Sequence, residues 1–296
     1  MISGGLGGTL SRDVPLAPMT WFRVGGSAQF FYQPDSIAGL KLFLKEWNNA
    51  TDITFLGAGS NVLVRDGGIL GVTIGLSKAF ACISSGPDNT LDVGAKAIDK
   101  RVAMVAAEYG LSGFEFLYTI PGTIGGAVIM NAGAFGGEMA DIVQHVVAMD
   151  TKGNVHHIPG KEMGWSYRGC DFPKGWVALG ARLKGVPADT QTILTRMNEL
   201  AEKRRASQPT GKTGGSTFKN PKDQTDLKAW ELLDKAGMRG ASIGDAQFST
   251  HHCNFMLNKG NATATDIETL GENARQAVLD QSGINLSWEI QRLGRF

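Results

Sequence analysis

One hydroxyl group, that of Ser216, lies in a glycine-rich stretch where a side chain could meet a ligand closely. The stretch reads GKTGGSTFKNP and covers residues 211–221. Glycines let a ligand approach the backbone because they carry no side chain. A serine among glycines is more often a turn residue, and the local sequence alone favours that interpretation.

Two further side chains could act on an anionic substrate. Arg168, in the sequence SYRG, is always charged and can bind a carboxylate through two parallel hydrogen bonds. Glu289 lies in a predicted final strand, residues 286–292, in which alternate residues from Leu286 to Ile290 are apolar. Glu289 therefore points away from the apolar face, towards either solvent or a cleft. Taken singly, each is best explained as an ordinary surface arginine or strand residue.

Two other stretches are rich in glycine, GAGSNVLV at residues 57–64 and IPGTIGGAVIMNAGAFGG at residues 120–137. The first is not a Rossmann fingerprint, because the third glycine would fall at Val62 and the following residues read as extended. On its own it is as consistent with a structural turn as with a phosphate loop. Two such stretches in one half of the chain favour a large phosphate-bearing ligand.

Gly211-Lys212-Thr213 resembles the end of a Walker A loop, but the spacing excludes it. The first glycine of that loop would fall at Ala206, and a predicted helix rather than a strand precedes it.

Composition narrows the class of protein. The 296 residues include 29 basic and 28 acidic residues, so no general affinity for nucleic acid or acidic membranes is expected. Three widely separated cysteines, with no CxxC pair, fit a reducing cytoplasm better than a disulfide framework. No metal site is expected, because adjacent residues in His251-His252-Cys253 would face opposite ways on a strand.

No targeting or membrane segment is expected either. The first residues lack the basic leader and apolar core of a signal peptide. The longest uncharged run, residues 116–137, contains Pro121 and many glycines, so it is interpreted as buried loop and strand rather than a membrane span.

Hydrophobic periodicity predicts helices near residues 37–47, 97–109, 190–205, 230–235 and 265–281. The first would be capped by Asp35 or Ser36, and the second would bury one face formed by Ile98, Val102, Ala106 and Tyr109. The residues up to Pro18 are interpreted as a flexible lead-in. Helices and strands mix without regular alternation, so the predicted class is α+β.

Taken in order, several stretches resemble the bacterial UDP-N-acetylenolpyruvoylglucosamine reductase (UDP-N-acetylmuramate dehydrogenase, MurB) family. They are TWFRVGGSA, GAGSNVLVRDGG, IPGTIGGAVIMNAGAFGGE, SYRGCDF, RRASQP, GSTFKNP, AWELLDKAGMRGASIGDAQFSTHHCNFMLN and WEIQRLG. Each is weak alone, but the ordered set covers nearly the whole chain from Thr20. The short distance between Arg168 and Ser216 resembles the type II branch of the family.

The resemblance implies a two-lobed FAD-binding domain of the vanillyl-alcohol-oxidase (PCMH) type and a smaller α/β substrate-binding domain. The implied boundaries are a lead-in at 1–18, FAD-binding lobes at 19–77 and 78–188, the substrate domain at 189–283, and a C-terminal strand at 284–296 that returns to the active site.

The resemblance also implies roles for individual residues. The catalytic positions would be Arg168, Ser216 and Glu289. Non-covalent FAD would be bound by Gly57, Gly59, Ser60, Asn61, Pro121, Gly122, Thr123, Gly125, Gly126 and Asn131. The substrate would be contacted by Tyr167, Arg204, Lys219 and Asn220. Arg204 lies where the family has a lysine, which keeps the charge but changes the geometry.

The implied activity is the reduction of UDP-N-acetylglucosamine enolpyruvate to UDP-N-acetylmuramate in peptidoglycan precursor synthesis, in the bacterial cytoplasm. NADPH would supply a hydride through flavin N5 in a ping-pong sequence. Arg168 and a protonated Glu289 would stabilise the enolate, and Ser216 would protonate it. The alternatives are a flavin-dependent oxidase of the same superfamily and a non-enzymatic nucleotide-binding module.

Overall fold

The structure is a computed structural model that describes residues 7–47 and 51–296. In these residues the chain forms seven α-helices. They are α1 (Ile37–Trp47), α2 (Asp99–Glu108), α3 (Ile124–Ile129), α4 (Met139–Ile142), α5 (Thr190–Ser207), α6 (Ala229–Lys235) and α7 (Ala264–Ser282).

The same part of the chain forms eighteen strands, several of them very short. They are β1 (Gly8–Pro15), β2 (Ser27–Pro34), β3 (Ile53–Phe55), β4 (Val62–Val64), β5 (Ile69–Ile74), β6 (Ile83–Ser85), β7 (Thr90–Gly94), β8 (Leu111–Ser112), β9 (Gly133–Ala134), β10 (Gly137–Glu138), β11 (Val143–Met149), β12 (Val155–Pro159), β13 (Val177–Lys184), β14 (Val186–Pro187), β15 (Ser242–Ile243), β16 (Ala246–Phe248), β17 (Met256–Asn258) and β18 (Gln291–Leu293).

The larger sheets have the orders β1-β2-β5-β3, β12-β11-β13-β7-β6 and β15-β16-β17. The five-stranded sheet is antiparallel, whereas β3 pairs with β5, and β18 with β4, in parallel. Mixed sheets and helices confirm the predicted α+β class.

The chain divides into two compact units. The first contains the described residues up to Arg12, Phe30–Ala58 and Gly71–Arg204, and the second contains Asp13–Gln29, Gly59–Leu70 and Arg205–Phe296. Neither unit is continuous in sequence, so each depends on contacts between distant segments.

Two hydrophobic clusters stabilise the first unit. In one, α2 and the short 3-10 helix Glu115–Thr119 pack against the five-stranded sheet, with Val102, Leu117 and Leu183 fully buried. In the other, the rings of Tyr32 and Phe43 stack with their centroids 3.7 Å apart. Burial of the Tyr32 hydroxyl, with a smaller contribution from Asp35, raises the pKa of Tyr32 to about 12.

One cluster stabilises the second unit. It joins α6 and α7 to β16 and β17, and it also includes Phe22 and Phe218, which are both buried. The segment that carries Ser216 is thereby fixed to the core of this unit through Phe218.

The helices α1 and α2 form where the spacing of apolar residues predicts them. At the start of α1 the Ser36 hydroxyl accepts a hydrogen bond from the backbone N–H of Gly39 at 3.0 Å, so Ser36 caps the helix. In α2 the predicted face is only half right, because Val102 and Ala106 are buried whereas Ile98 and Tyr109 are exposed. Those two residues flank the helix rather than belonging to it.

Three expectations differ from the structure. Gly8–Pro15 forms β1 instead of a flexible lead-in, because Leu10 is buried in a hydrophobic cluster. Residues 1–6 of that lead-in lie outside the described residues. The stretch 116–137, interpreted as loop and strand, contains the helix α3. The last strand is shorter than predicted, Gln291–Leu293, and Trp288 before it makes an isolated bridge to Phe218.

In residues 7–47 and 51–296, no helix is both long and apolar enough to cross a lipid bilayer.

Candidate functional site

In the first unit the two glycine-rich stretches meet at Gly57 and Thr123. A Cβ atom placed on Gly57 would lie 3.5 Å from the Thr123 hydroxyl oxygen, which is an ordinary contact distance. Thr123 is buried and precedes α3, and its side chain makes no capping hydrogen bond to that helix. The two stretches therefore lie against each other in this unit, and their binding of one ligand stays a prediction.

Two neighbouring glycines of the second stretch differ in their surroundings. A Cβ on Gly125 would lie 3.0 Å from the Ala95 Cβ, so packing alone explains why a small residue stands there. Gly126 is exposed, and a Cβ on it would meet no atom within 4 Å. The open space over Gly126 and the small residues around it fit a dinucleotide such as FAD. Near this point the backbone N–H of Asp99 donates to the Gly122 oxygen at 3.2 Å, and Pro121 is half-buried.

In the second unit, Gly59 has a structural explanation. Its φ of +65° is left-handed, and a Cβ there would collide with the main-chain oxygen of Met19. The Trp21 N–H also donates to the Gly59 oxygen at 3.0 Å. Gly59 therefore shapes the loop, and the half-buried Ser60 follows it.

Asn61 holds the segment that contains Glu289. Its Nδ2 donates to the Glu289 main-chain oxygen at 3.1 Å, and its main-chain oxygen accepts from the Gln291 N–H at 2.9 Å. Sequence reasoning assigned Asn61 to the cofactor and did not foresee this contact.

Asn131 is buried within the second glycine-rich stretch, shortly after α3, with a left-handed φ of +40°. Its Nδ2 donates to the Ser166 main-chain oxygen at 3.0 Å, and its Oδ1 accepts from the Ala140 N–H at 3.0 Å. The side chain therefore ties this stretch to the turn that presents Arg168.

Arg168 lies in a tight turn closed by two hydrogen bonds. Ser166 and Gly169 exchange N–H···O bonds of 3.0 and 3.2 Å, and Arg168 between them has a φ of +59°. The guanidinium carbon lies 5.2 Å from the centroid of the Tyr167 ring. A left-handed arginine is strained, and such strain is typical of functional sites.

Ser216 and Glu289 come together in the second unit. The Glu289 N–H donates to the main-chain oxygen of Thr217 at 2.8 Å, so the two predicted catalytic residues lie on adjacent extended segments. Both side chains are half-buried. The predicted alternation in the last segment is confirmed, since Leu286 and Ile290 are buried.

The predicted substrate residues Arg204, Lys219 and Asn220 are all half-buried. Burial lowers the pKa of Arg204. The Lys219 N–H donates to the Ser287 oxygen at 2.8 Å, which extends the pairing beside Ser216. The Asn220 Oδ1 accepts from the Ala229 N–H at 3.0 Å and so satisfies the first turn of α6.

The residues His251-His252-Cys253 serve the local fold. The His251 Nε2 lies 2.9 Å from the Ala206 oxygen, and the His252 Nδ1 accepts from the Asn254 N–H at 3.3 Å. Cys253 is buried, which raises the pKa of its thiol to about 11. Among the residues described, no group of three or more His, Cys, Asp or Glu side chains could hold a metal ion.

Sequence reasoning missed Asn254 and Asp99, both of them buried. Asn254 binds the segment that follows Ser216. Asp99 begins α2, and burial raises the pKa of its carboxyl to about 8. A polar residue inside the otherwise apolar run CNFML was the available signal for Asn254.

Comparison with known proteins identifies the family of this chain. A family model described as an FAD binding domain matches residues 28–159, and one described as the UDP-N-acetylenolpyruvoylglucosamine reductase C-terminal domain matches residues 207–293. The reductase of that name from Paramagnetospirillum magneticum is 49% identical over 97% of this chain and 92% of its own length. This chain belongs to the UDP-N-acetylenolpyruvoylglucosamine reductase family.

Other members of the reductase family give the same result. The protein of that name from Rickettsia typhi is 47% identical over 98% of this chain and 97% of its own length. The crystal structure of the Thermus caldophilus UDP-N-acetylenolpyruvylglucosamine reductase (MurB) superposes with a TM-score of 0.83 and 34% identity, covering 97% of this chain and 100% of the other.

Membership of the reductase family confirms the predicted enzyme class, an oxidoreductase. The FAD binding domain match confirms the predicted fold class and the predicted cofactor, FAD.

Proposed function

We propose that this chain reduces UDP-N-acetylglucosamine enolpyruvate to UDP-N-acetylmuramate, with NADPH as the hydride donor, for peptidoglycan precursor synthesis. Membership of the reductase family supports the overall reaction. The observation that most directly supports the residue roles is the 2.8 Å bond from the Glu289 N–H to the Thr217 oxygen. It brings Glu289 beside Ser216 in a unit whose chain segments are far apart in sequence.

FAD, when bound, would accept a hydride from NADPH and pass it to the enolpyruvyl group, in the ping-pong order implied by the resemblance. In the first unit the small residues at Gly57 and Gly126, with the Thr123 hydroxyl between the two glycine-rich stretches, are the groups that would hold it. Asn131 would act indirectly, because its amide is engaged by the backbone of Ser166 and Ala140.

Hydride addition to the terminal carbon of the enolpyruvyl group creates negative charge that spreads into the carboxylate. Arg168 would neutralise this charge, because a guanidinium binds a carboxylate through two bonds and stays charged at any physiological pH. Its tight turn would hold the guanidinium in place as the charge develops. Glu289, as a neutral acid, would donate a further hydrogen bond to the same carboxylate.

Ser216 would then give its proton to the carbon beside the carboxylate and complete the lactyl ether. A serine hydroxyl is a weak acid, but the carbon of an enolate is a strong base, so the transfer needs mainly correct placement. Gly215 leaves room for a substrate beside the serine, because a Cβ on it would meet no atom within 4 Å. The cytoplasmic location and the roles of Tyr167, Arg204, Lys219 and Asn220 in substrate binding stay predictions.

Anaerobic rapid mixing of the FAD-loaded protein tests this proposal. NADPH should bleach the flavin absorbance, and UDP-N-acetylglucosamine enolpyruvate added next should restore it. In Ser216→Ala we expect bleaching within about twofold of the wild-type rate, but restoration about 10²–10⁴-fold slower, as for the loss of a general acid.

Equal losses in both half-reactions would remove Ser216 from the role of proton donor. The flavin-dependent oxidase would be favoured instead if the substrate could not restore the absorbance of bleached wild-type protein, and if an alcohol or sugar bleached the oxidised flavin and oxygen then restored it.

A further inference from the structure

We infer that Asn254 is a positioning residue for Ser216, an inference that rests on the function proposed above. Asn254 makes three hydrogen bonds to the two residues that follow Ser216. Its main-chain oxygen accepts from the Thr217 N–H at 2.7 Å. Its Oδ1 accepts from the Phe218 N–H at 3.0 Å, and its Nδ2 donates to the Phe218 oxygen at 2.9 Å.

An amide is the side chain that this arrangement requires. The main chain of Phe218 offers one donor and one acceptor, and a primary amide supplies the complementary acceptor and donor. Asn254 is 4% exposed, so water cannot replace either bond if it is lost. A carboxylate at the same place would keep the shape, but it would have no donor for the Phe218 oxygen.

The opposite edge of the same segment is also paired. The Thr217 main-chain oxygen accepts from the Glu289 N–H at 2.8 Å, and the Lys219 N–H donates to the Ser287 main-chain oxygen at 2.8 Å. Asn254 therefore closes one edge of a segment whose other edge carries Glu289. Loss of the amide would remove the two side-chain bonds on the Ser216 side, leaving the main-chain bond to Thr217 there, and would leave the Glu289 side intact.

The backbone before Ser216 gives less support. Gly215 has a φ of +81°, and no atom lies within 4 Å of a Cβ placed on it. Its N–H makes a long bond of 3.3 Å to the Thr213 hydroxyl. Ser216 itself forms a single bridge with Phe255, the residue after Asn254. The position of the serine is therefore set mainly by the Asn254 segment.

The first test uses the full-length, FAD-loaded Asn254→Asp variant. We expect NADPH to bleach its flavin at close to the wild-type rate, since Ser216 takes no part in that step. We expect restoration by UDP-N-acetylglucosamine enolpyruvate to be about 10- to 100-fold slower, the loss that follows from moving a catalytic group by about 1 Å.

A double-variant cycle separates positioning from general damage. If Asn254 acts through Ser216, adding Asn254→Asp to Ser216→Ala should slow restoration no further. Equal slowing in both backgrounds would overturn the inference and leave the proposed function standing. If Ser216→Ala alone restored at the wild-type rate, the proposed role of Ser216 would fall, and the inference with it.

Asn258→Asp is the matched control. Asn258 is also buried, and its amide binds the Phe22 oxygen at 2.9 Å and the Gly260 N–H at 3.0 Å, away from the segment after Ser216. It should lose a similar amount of thermal stability while keeping both half-reactions. If Asn258→Asp slowed the restoration of the flavin to the same extent, the cause would be general destabilisation of the second unit. That result would overturn the inference.

Asn254→Ala serves as a second variant, because it removes both side-chain bonds, whereas a buried aspartate could keep both of them in its neutral form. It should reproduce the selective loss of restoration. Loss of FAD from both Asn254 variants, with FAD retained in Asn258→Asp, would assign the amide to the fold and overturn the positioning role.

Discussion

The carboxyl group of Asp99 has a raised pKa with one physical cause, its burial. Its side chain is fully buried at the start of α2, and neither carboxyl oxygen has a hydrogen-bond partner. Burial penalises the charged form and raises the pKa of Asp99 to about 8. The group is therefore mainly a neutral acid at pH 7, directly behind the glycine-rich stretch at Gly122, whose oxygen accepts from the Asp99 N–H.

The raised pKa of Asp99 predicts a pH-dependent stability. Between about pH 4 and pH 8 the folded protein keeps this proton and the unfolded chain loses it, so stability falls as pH rises. We expect Asp99→Asn to be less stable than, or equal to, wild type at pH 5, and more stable at pH 8, with a relative change of about 2 kcal/mol or more. Thermal unfolding at the two pH values measures it.

Asp88→Asn is the control for this prediction, because Asp88 is exposed and its left-handed φ of +55° also suits asparagine. It should leave the difference in Tm between the two pH values unchanged. An identical pH dependence in wild type and Asp99→Asn would contradict the raised pKa of Asp99.

Single residues show where sequence reasoning stops. An aspartate in the first turn of a helix usually faces solvent, where it stabilises the helix dipole, so nothing local marked Asp99 as buried. The role of Asn254 depends on a peptide 36 residues away, which periodicity does not reveal. Arg168, Ser216 and Glu289 were singled out from the ordered motifs, although each had a simpler local explanation.

At the scale of elements, α7 is joined to β4 and β18 by one carboxylate. Glu268 of α7 is 5% exposed and binds the Arg65 guanidinium through two hydrogen bonds of 2.9 Å. Its Oε1 also accepts from Arg292 at 2.9 Å. Arg65 follows β4, and Arg292 lies in β18, the strand just after Glu289. The hydrogen bond from Arg65, followed by the positive charges, holds the pKa of Glu268 below its usual range.

Glu268→Gln should destabilise the second unit. Removing the charge leaves the partly buried Arg65 guanidinium without its counterion, whereas Arg292 keeps Glu272 as a partner at 2.8 Å. We expect a loss of about 2–4 kcal/mol after allowance for the partial exposure of Arg65. The Glu199→Gln control removes the exposed Arg196–Glu199 pair of α5, which contributes about 0–1 kcal/mol. Thermal or urea unfolding, followed by tryptophan fluorescence, gives the free energy of unfolding of the two variants. Similar losses in both would contradict a large contribution of Glu268 to stability.

Elements were predictable where one amphipathic segment contains its own signal. The bounds of α1 match the predicted 37–47, and those of α7 differ from the predicted 265–281 by one residue at each end, because apolar spacing and caps lie within or next to each helix. The helix α3 was not predicted, because Gly125 and Gly126 both have a low helix propensity. Packing against Ala95 explains why a glycine stands at position 125, and that contact is not visible in the sequence. The hydrogen bonds that join Glu289 to Thr217 and Asn61 could not be predicted either, because those partners are distant in sequence.

At the scale of the molecule, the three cysteines report separately on the two units. Cys82 is exposed and Cys170 is half-buried, both in the first unit, whereas Cys253 is buried in the second. Burial raises the pKa of Cys170 and of Cys253, which slows their reaction because the thiolate is the reactive form.

We expect a thiol reagent such as dithionitrobenzoate to label Cys82 fast and Cys170 more slowly. Cys253 should react only when the second unit opens, so Glu268→Gln should accelerate Cys253 more than Cys170. A Cys82→Ser variant identifies the fast phase. Labelling of Cys253 as fast as Cys82 in the native protein would show that the second unit is far more open than its core implies.

The long separation between Asn61 and Glu289 has a consequence for biosynthesis. The two residues are 228 positions apart, and in the described part of the chain β4 pairs with β18 in its sheet. On a ribosome, β4 emerges early and its pairing edge stays open while the first unit and most of the second are translated. The nascent chain therefore carries an unpaired strand edge for most of its synthesis, which is a hazard for aggregation. The segment that brings Glu289 to Ser216 also covers that edge.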